Sequence, residues 1–567
     1  MSTATLRRLE RLMMQFGEGT APRKRELLRR LQRQELRSAG AVARLHEVLC
    51  FLRAYPDDAE VLAQVEGMLA GFARRRDLRR HAERLEDSGI AGCDIVYSFF
   101  AEMALWLARR WPDRLRVEWD SVDDPETLEG LLPHLALYAE TPALDEVPLS
   151  AREWIDHLKG PGETDGAFIV RRLQSLKVGP RLRESLFEDL DLFFRLTPGP
   201  GTPSRTHAHV SRGSTVYQTG PMKRGRPDLR AEVERPPRGV EELSRKQGQR
   251  IIDMACESMV TRSRDLDVFA YGDPDDVRIF DCGDGLELAA IGAVPERRLL
   301  LEAVYGFLTL KNGVPIGYVL NSALFGSAEI AYNVFETFRG AEAAHVYGRV
   351  LATVRALFGA DSFTIYPSQL GGDGNDEGLQ SGAWWFYQKL GFRARDPATL
   401  RLMRAELRRM KARPRYRSSI RTLRQLAQEN VYLHCGPERD DVIGLLPTSQ
   451  VGMAIVAGLS RRFGSDRARG ERILAGEAED RLGIGPLRGL TAGQRLAWRR
   501  WAPLVAVLPG LDRWSPAEKR ALAQVILAKG GRRESDFVRL FDAHGKLRAA
   551  LGRLARPRSE RAPSARA

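Results

Sequence analysis

The stretch EIAYNVFETFRGAEAAHVYGRVLATVRALFG, residues 329–359, joins a strand pattern to a helix pattern. Residues 329–336 read as a strand, and the second half carries apolar residues at helical spacing up to a closing Gly359. The first turn of a helix leaves backbone N–H groups unpaired beside the positive end of the helix dipole. Because a turn at Arg339 and Gly340 leads into this helix, the stretch predicts a helix N-terminus that suits a phosphate group.

Strand and helix patterns alternate through the rest of residues 246–400 as well. Apolar runs bounded by Gly, Asn and Pro predict further strands at residues 276–282, 299–310, 314–320 and 362–367. A second helix is predicted over residues 378–390, ending at Gly391. The segment therefore predicts a mixed α/β domain of the α+β class, with a mixed sheet.

The regions on either side of this domain differ in composition. Residues 1–196 and 401–555 carry apolar positions three and four residues apart, which predicts all-α regions, the second of them basic. Residues 197–245 are rich in Pro, Gly and Arg and poor in apolar residues, which predicts a linker or long loop. The tail, residues 556–567, is predicted to be disordered. A chain of 567 residues accommodates about three or four such domains.

The charge of the chain bears on its partners. It carries 88 Lys and Arg against 74 Asp and Glu, a formal net charge of +14. Such a charge attracts nucleic acid, anionic membranes or acidic partners. Most Arg residues, as in residues 23–37 and 72–87, alternate with Glu and Leu, which is typical of the solvated face of an amphipathic helix. We therefore favour solvated helix faces over a nucleic-acid surface, which stays open as an alternative.

Cysteine and hydropathy patterns address the compartment. Five Cys residues stand singly, without a paired motif, which favours a reducing compartment. No apolar leader follows the first Met and no apolar run approaches about 18 residues, so we predict a cytoplasmic protein without membrane contact. No set of residues has the spacing of metal ligands, and we predict no metal site. The GxSxG, P-loop and HExxH motifs are absent.

The turn that follows the strand resembles a known signature. Arg339-Gly340-Ala341-Glu342-Ala343-Ala344, entered through VFETFRG, resembles the R/Q-x-x-G-x-G/A turn of the GNAT acetyltransferase superfamily. The match lies at Arg339 and Ala344, and Glu342 stands where the family has its central Gly. The resemblance implies that residues 339–344 hold the pyrophosphate of acetyl-CoA, or of another acyl-CoA, and that the Val334 backbone binds the pantetheine arm.

A second resemblance lies further along the chain, in AWWFYQKLGF, residues 383–392. Its segment YQKLGF is similar to a GNAT motif in which Tyr protonates the departing coenzyme thiolate, which implies that role for Tyr387. Glu329 and Glu336, on the strand beside the acyl group, are candidate general bases. Tyr387 also shares a helix face with apolar residues and fits a core aromatic, and each Glu also fits a surface strand position.

The resemblance favours the first of three functions, and the other two remain open as alternatives. The first is an acyl-CoA-dependent N-acyltransferase that transfers an acyl group, acetyl above all, directly to an amine on a small molecule or a protein. It would depend on positioning and one proton transfer. The second is a catalytically inactive GNAT-like binding or scaffold protein, since Glu342 stands in the turn. The third is a basic helical protein that binds nucleic acid.

Overall fold

The computed structural model describes residues 2–264, 266–485 and 487–556. Residues 2–196 form a mostly helical region. Its helices are α1 Ser2–Leu12, α2 Thr20–Arg33, α3 Ala39–Ala54, α4 Ala59–Ala70, α5 Arg76–Arg80, α6 Ala101–Arg110, α7 Pro125–Leu135, α8 Thr141–Glu146, α9 Ala151–Leu158, α10 Asp165–Ser175 and α11 Pro180–Asp189.

A small antiparallel sheet accompanies these helices. Its strands are β1 Ile95–Tyr97, β2 Leu115–Val117 and β3 Phe194–Leu196, in the order β1-β3-β2. The prediction of an all-α region over residues 1–196 is therefore wrong at these strands. Each strand is three residues long, which is too short for the alternation of a strand to show in the sequence.

A nine-stranded mixed sheet with its covering helices follows. In chain order the elements are α12 Leu229–Glu234, β4 Gly239–Glu242, α13 Arg245–Val260, α14 Asp267–Ala270, β5 Gly272–Gly283, β6 Leu286–Ala293, β7 Ala303–Lys311, β8 Val314–Leu324, β9 Ser327–Val334, α15 Ala343–Phe358, β10 Ser362–Ile365, α16 Pro367–Leu370, α17 Asp376–Ser381, α18 Ala383–Leu390, β11 Arg393–Ala394, α19 Pro397–Ala412, α20 Ile420–Leu426 and β12 Val431–His434. The strand order is β11-β12-β10-β9-β8-β7-β6-β5-β4. The predicted mixed α/β architecture at the centre of the chain is confirmed.

Local turn chemistry sets the antiparallel pairs, and a helix sets the parallel one. β7 and β8 join through a two-residue turn at Asn312 and Gly313, whose φ values of 47° and 73° fit a type I′ hairpin. β9 and β10 are parallel, with α15 as the crossover between them. Sequence patterns missed β6, which is rich in Ala and Gly, because these residues have low strand propensity. The helix predicted over residues 378–390 is two helices, α17 and α18, separated by Gly382 in a left-handed conformation.

The sheet extends past both ends of the predicted central domain, residues 246–400. β4 lies within residues 197–245, and the loop before α12, residues 197–228, has neither helix nor strand. β12 lies within residues 401–555 and inserts between β10 and β11. The all-α prediction for that region is therefore wrong at β12, because a four-residue strand shows no clear period.

The C-terminal helices cover one face of the sheet. They are α21 Ser449–Phe463, α22 Arg467–Leu482, α23 Ala492–Val507, α24 Pro516–Lys529, α25 Glu534–Ala543 and α26 Gly545–Ala555. Tyr305 of β7 packs in a core shared with these helices, whereas Leu308 of the same strand packs in a core shared with the N-terminal region. Alternate residues of a strand point to opposite faces, so the sheet separates two cores.

Two further predictions concern the C-terminal tail and contact with a membrane. The tail predicted to be disordered, residues 556–567, lies outside the described residues apart from Arg556. Among the residues that are described, no helix is both long enough and apolar enough to cross a membrane.

Candidate functional site

The predicted strand, turn and helix unit is present at the junction of β9 and α15. β9 ends at Val334, a short 3₁₀ helix spans Glu336–Phe338, and α15 begins at Ala343. Phe338 is buried and stacks on Phe51 of α3, with ring centroids 6.2 Å apart. The turn is therefore held by strand β9, which leads into it, and by the N-terminal region, which packs against Phe338.

β9 and β10 pair along only part of their length. Ser327, Ala328 and Glu329 of β9 are in register with residues 362–364 of β10. Beyond Glu329, β9 pairs with β8 alone, as far as Val334. Among the described residues, this half of β9 has no strand partner on its β10 side. A strand edge of that kind presents backbone groups to whatever lies next to it.

Glu342 closes the turn at the N-terminus of α15. Its side chain is 7% exposed and lies 3.6 Å from the Lys311 Nζ of β7. Its Oε1 accepts a hydrogen bond from the Lys223 backbone N–H at 3.0 Å. Burial lowers the pKa of Lys311, and the charge of Glu342 opposes this effect. A carboxylate is thus already placed at the positive end of the α15 dipole, where negative charge is stabilised.

The N-terminal region fills the space around the turn. Gly340 lies against Met14, and a Cβ added to Gly340 would come within 3.0 Å of the Met14 Cε. Tyr55, which follows α3, lines the remaining cavity together with Tyr332 and Val334, and this cavity measures about 10 Å³. Such a volume corresponds to about one water molecule. Protein atoms therefore occupy the position that the sequence predicts for a pyrophosphate.

The remaining predicted turn residues are small and only partly accessible. Ala341 is buried, and Ala343 and Ala344 are half-buried in the first turn of α15. The Ala343 carbonyl accepts a hydrogen bond from the Tyr332 hydroxyl at 3.1 Å. Ala341 packs in the core shared with the N-terminal region, and Ala344 packs against the other core, so the same small residues that suit a bound phosphate also suit protein packing.

A partly buried network around Glu47 holds α3 against the turn. The Glu47 carboxylate accepts hydrogen bonds from Thr337 in the 3₁₀ helix and from Arg205, the latter at 3.0 Å. Burial raises the pKa of Glu47, but a hydrogen bond from His46 and the charge of Arg205 outweigh it and lower the pKa to about 2. The His46 ring lies 3.8 Å from the Cys50 Sγ. Sequence patterns did not reveal this cluster, because its members come from segments far apart in the chain.

Arg339, predicted to contact a pyrophosphate, has other partners. Its guanidinium forms an ion pair with Glu377 of α17 and donates to the Val334 carbonyl at 3.1 Å. Glu377 also pairs with Arg264, at 3.4 Å. Arg339 is therefore engaged with α17, and it occupies the carbonyl of Val334 that was predicted to bind the pantetheine arm.

Tyr387 lies in the core beneath α15. Its side chain is buried, and its ring centroid is 5.6 Å from that of Tyr347 and 5.7 Å from that of Phe392. Burial raises the pKa of Tyr387, which keeps the phenol protonated. The neighbouring Trp384 is buried as well. The aromatic run of residues 384–387 therefore packs α18 against α15, as the core alternative for Tyr387 requires.

Two tyrosines that were not among the predicted site residues connect Tyr387 to the turn. Tyr332 of β9 and Tyr347 of α15 have ring centroids 5.2 Å apart, and Tyr347 contacts Tyr387. We call these three residues the tyrosine cluster. The apolar period of α15 predicts Tyr347 on the buried face of the helix, and Tyr347 is buried there.

The two candidate bases lie away from this cluster. Glu329 and Tyr332 are three residues apart on β9, so their side chains lie on opposite faces of the sheet. Burial, and then the neighbouring Glu302 carboxylate, raise the pKa of Glu329 to about 7. Glu336 is exposed in the 3₁₀ helix. Glu329 thus has a pKa suited to a general base near neutral pH, on the face opposite the tyrosine cluster.

Neither a group of metal ligands among the described residues nor a known relative assigns a function to the chain. Within residues 2–264, 266–485 and 487–556, no three His, Cys, Asp or Glu side chains are grouped so that they could hold a metal ion. Comparison of the chain with protein-family models, curated proteins and solved structures found no match. The arrangement of residues at the β9 and α15 junction is therefore the basis for any functional conclusion.

Proposed function

We propose that the protein is a binding or scaffold protein whose central α/β domain performs no acyl transfer. Glu342 is the observation that carries this proposal: its carboxylate is buried at the N-terminus of α15 and bound by Lys311 and the Lys223 backbone. The Glu342 carboxylate accepts no hydrogen bond from the first turn of α15, but its negative charge stands beside that helix end and opposes a bound anion there.

Electrostatics supports the same conclusion. Two like unit charges 4 Å apart repel by about 4 kcal/mol at an effective dielectric constant of 20. A pyrophosphate in the turn would meet this repulsion from Glu342, or would have to displace Glu342 from its buried partners. Displacement is unfavourable because it leaves the Lys311 ammonium, which is 5% exposed, without its carboxylate.

The packing around the turn supports it as well. Arg339 and the Val334 carbonyl are bonded to each other, and Arg339 is paired with Glu377. Thr337 is bonded to Glu47, which fixes α3 over the turn. Binding of a coenzyme would require these contacts to break together, whereas a scaffold role needs them intact.

The second candidate is an acyl-CoA-dependent N-acyltransferase, with acetyl-CoA or another acyl-CoA as cosubstrate. Two observations favour it: the half of β9 without a strand partner on its β10 side, and the pKa of Glu329 of about 7. An amine would attack the thioester carbonyl and lose a proton to Glu329. The departing thiolate would take its proton from solvent, because Tyr387 is buried on the other face of the sheet and cannot reach the same thioester. The acidic pair Glu302 and Glu329 would suit a cationic amine as acceptor.

Calorimetric titration of the full chain with acetyl-CoA and with CoA tests the proposal. We expect no saturable binding up to about 1 mM ligand, the upper end of common Michaelis constants. Saturable binding that Arg339→Glu abolishes would overturn the proposal and support the acyltransferase. Arg33→Glu, at an exposed site of α2, is the matched charge control. If only Glu342→Gly binds CoA, the carboxylate itself is what blocks the turn.

A further inference from the structure

The positive charge of the protein is concentrated in one helical hairpin. Residues 397–424, which run from α19 through a loop into α20, contain ten Arg and Lys residues and one acidic residue, Glu406. This gives a net charge of +9 to a segment of a chain whose total is +14. We call these residues the basic hairpin. Its charge is larger than expected from a solvated helix face that alternates both signs.

Four of its basic residues form a stripe along α19. The stripe consists of Arg401, Arg404, Arg408 and Lys411, all exposed. Spacings of three and four residues place side chains on one face of a helix, and Met403, which is buried, lies on another face. The stripe is about 15 Å long at 1.5 Å per residue. Its charges therefore stand in a row facing solvent.

Few of the charges in the basic hairpin are neutralised by neighbours. Among the described residues, ion pairs involve only Arg409, with Glu406 at 2.6 Å, and Arg424, with Asp376 at 3.5 Å. Elsewhere the chain pairs its arginines closely: Arg195, for example, contacts three carboxylates. The charge of the basic hairpin is therefore available to an external partner.

The shape of the basic hairpin is fixed by the one acid that it contains. Glu406 is fully buried, and its carboxylate accepts hydrogen bonds from Ser418 at 2.5 Å and from Tyr416 at 3.0 Å. Trp385 of α18 in turn donates to the Ser418 hydroxyl at 3.1 Å. The loop that follows α19 is thus tied to α19 and to the central domain. Such ordering before binding lowers the entropy lost when a partner is bound.

We propose that the basic hairpin is a nucleic-acid-binding surface that contacts the phosphate backbone. Nine of its ten basic residues are Arg, whose planar guanidinium matches the geometry of phosphate oxygens. A lipid surface would require a broad apolar face beside the charges. The large apolar side chains exposed here are Leu407 and Ile420, at 38% and 46%. Such an isolated pair favours a phosphate polymer over a bilayer.

The proposal is independent of whether the central domain binds a coenzyme. The stripe lies on α19, outside the turn between β9 and α15, and its residues make no contact on which the proposed function rests. Failure of one proposal therefore leaves the other untouched. If both hold, the protein links a nucleic acid to a partner bound by its other regions.

Fluorescence anisotropy of labelled oligonucleotides with the full-length protein tests the proposal. The probes are a 20-base-pair DNA duplex and a 20-nucleotide RNA, titrated at several KCl concentrations. The stripe variant carries R401Q, R404Q, R408Q and K411Q. A matched control variant removes three Arg and one Lys from exposed positions of the C-terminal helices and their connections: R472Q, R499Q, R513Q and K546Q. The eight positions form no ion pair among the described residues, so both variants are expected to fold.

We expect the wild-type protein to bind both probes with an affinity that falls steeply with salt. If the four stripe residues each contact a phosphate, their loss lowers the salt slope on duplex DNA by about 3 to 4 and weakens binding by more than tenfold. The control variant should keep most of the affinity. Equal losses in both variants would show a response to net charge only and overturn the proposal. So would absence of binding at 50 mM KCl, or loss of binding to phosphatidylserine vesicles in the stripe variant without any nucleic-acid binding.

Discussion

Replacing Glu342 by Ala removes the carboxylate that closes the turn. The ion pair with Lys311 at 3.6 Å and the hydrogen bond from the Lys223 N–H at 3.0 Å both disappear. A charge pair at this separation is worth about 4 to 5 kcal/mol at an effective dielectric constant of 20. Lys311 keeps its bond to the Asp284 carbonyl at 2.7 Å, and burial already lowers its pKa, so it can lose its proton. We therefore expect the free energy of unfolding to fall by about 3 kcal/mol, at the lower end for breaking a buried pair.

Urea unfolding followed by circular dichroism measures this loss. A chain of several domains can unfold in more than one step, so the comparison uses the transition in which the central sheet unfolds. Glu342→Gln is the matched control: its amide oxygen still accepts from the Lys223 N–H, and we expect a loss of about 1 to 2 kcal/mol. A change below about 0.5 kcal/mol for Glu342→Ala, the size of an ordinary surface substitution, would refute the reasoning.

Two further predictions concern Glu329 and Tyr387. A carboxyl pKa raised to about 7 stabilises the folded protein below the unfolded value of 4.5, and this contribution is lost as the pH rises through 7. Glu329→Gln should therefore raise the free energy of unfolding by about 3 kcal/mol at pH 8 and change it little at pH 4. Glu336→Gln, at an exposed position, is the control. Equal changes in the free energy of unfolding at both pH values would contradict the prediction. Tyr387→Phe should keep the stability within about 1 kcal/mol, and Tyr387→Ala should lose about 3 to 5 kcal/mol, because the ring fills the core. Urea unfolding checks both, and a large loss in Tyr387→Phe would show that the hydroxyl, and not the ring, stabilises the fold.

Local patterns predicted much of the central domain. The period of α15 and its closing Gly359 identified that helix, and the Lys311, Asn312 and Gly313 turn identified the β7 and β8 hairpin. Both signals depend on residues close together in the chain. Sequence patterns missed β12 for two reasons. The strand is defined by its pairing with β10, whose residues lie about 70 positions earlier in the chain. A four-residue strand is also too short to show a period of its own.

In the candidate site as well, local motifs identified the turn residues and Tyr387 but not the residues that contact them. Lys223 reaches Glu342 from the loop before α12, and Glu377 reaches Arg339 from α17. Glu329 was named as a candidate base from its place on the strand, and its raised pKa follows from burial and from Glu302, which only the folded sheet brings near.

The amino-acid sequence by itself determined the local elements of this protein: the strand, turn and helix unit, and the two strands that flank Asn312 and Gly313. Each follows from residue spacing and backbone preference within one short segment. Only the tertiary structure decided that Glu342 is buried against Lys311 and that Arg339 pairs with Glu377. Those contacts depend on which distant segments the two cores bring together, and burial there, rather than residue type, sets what a charge can do.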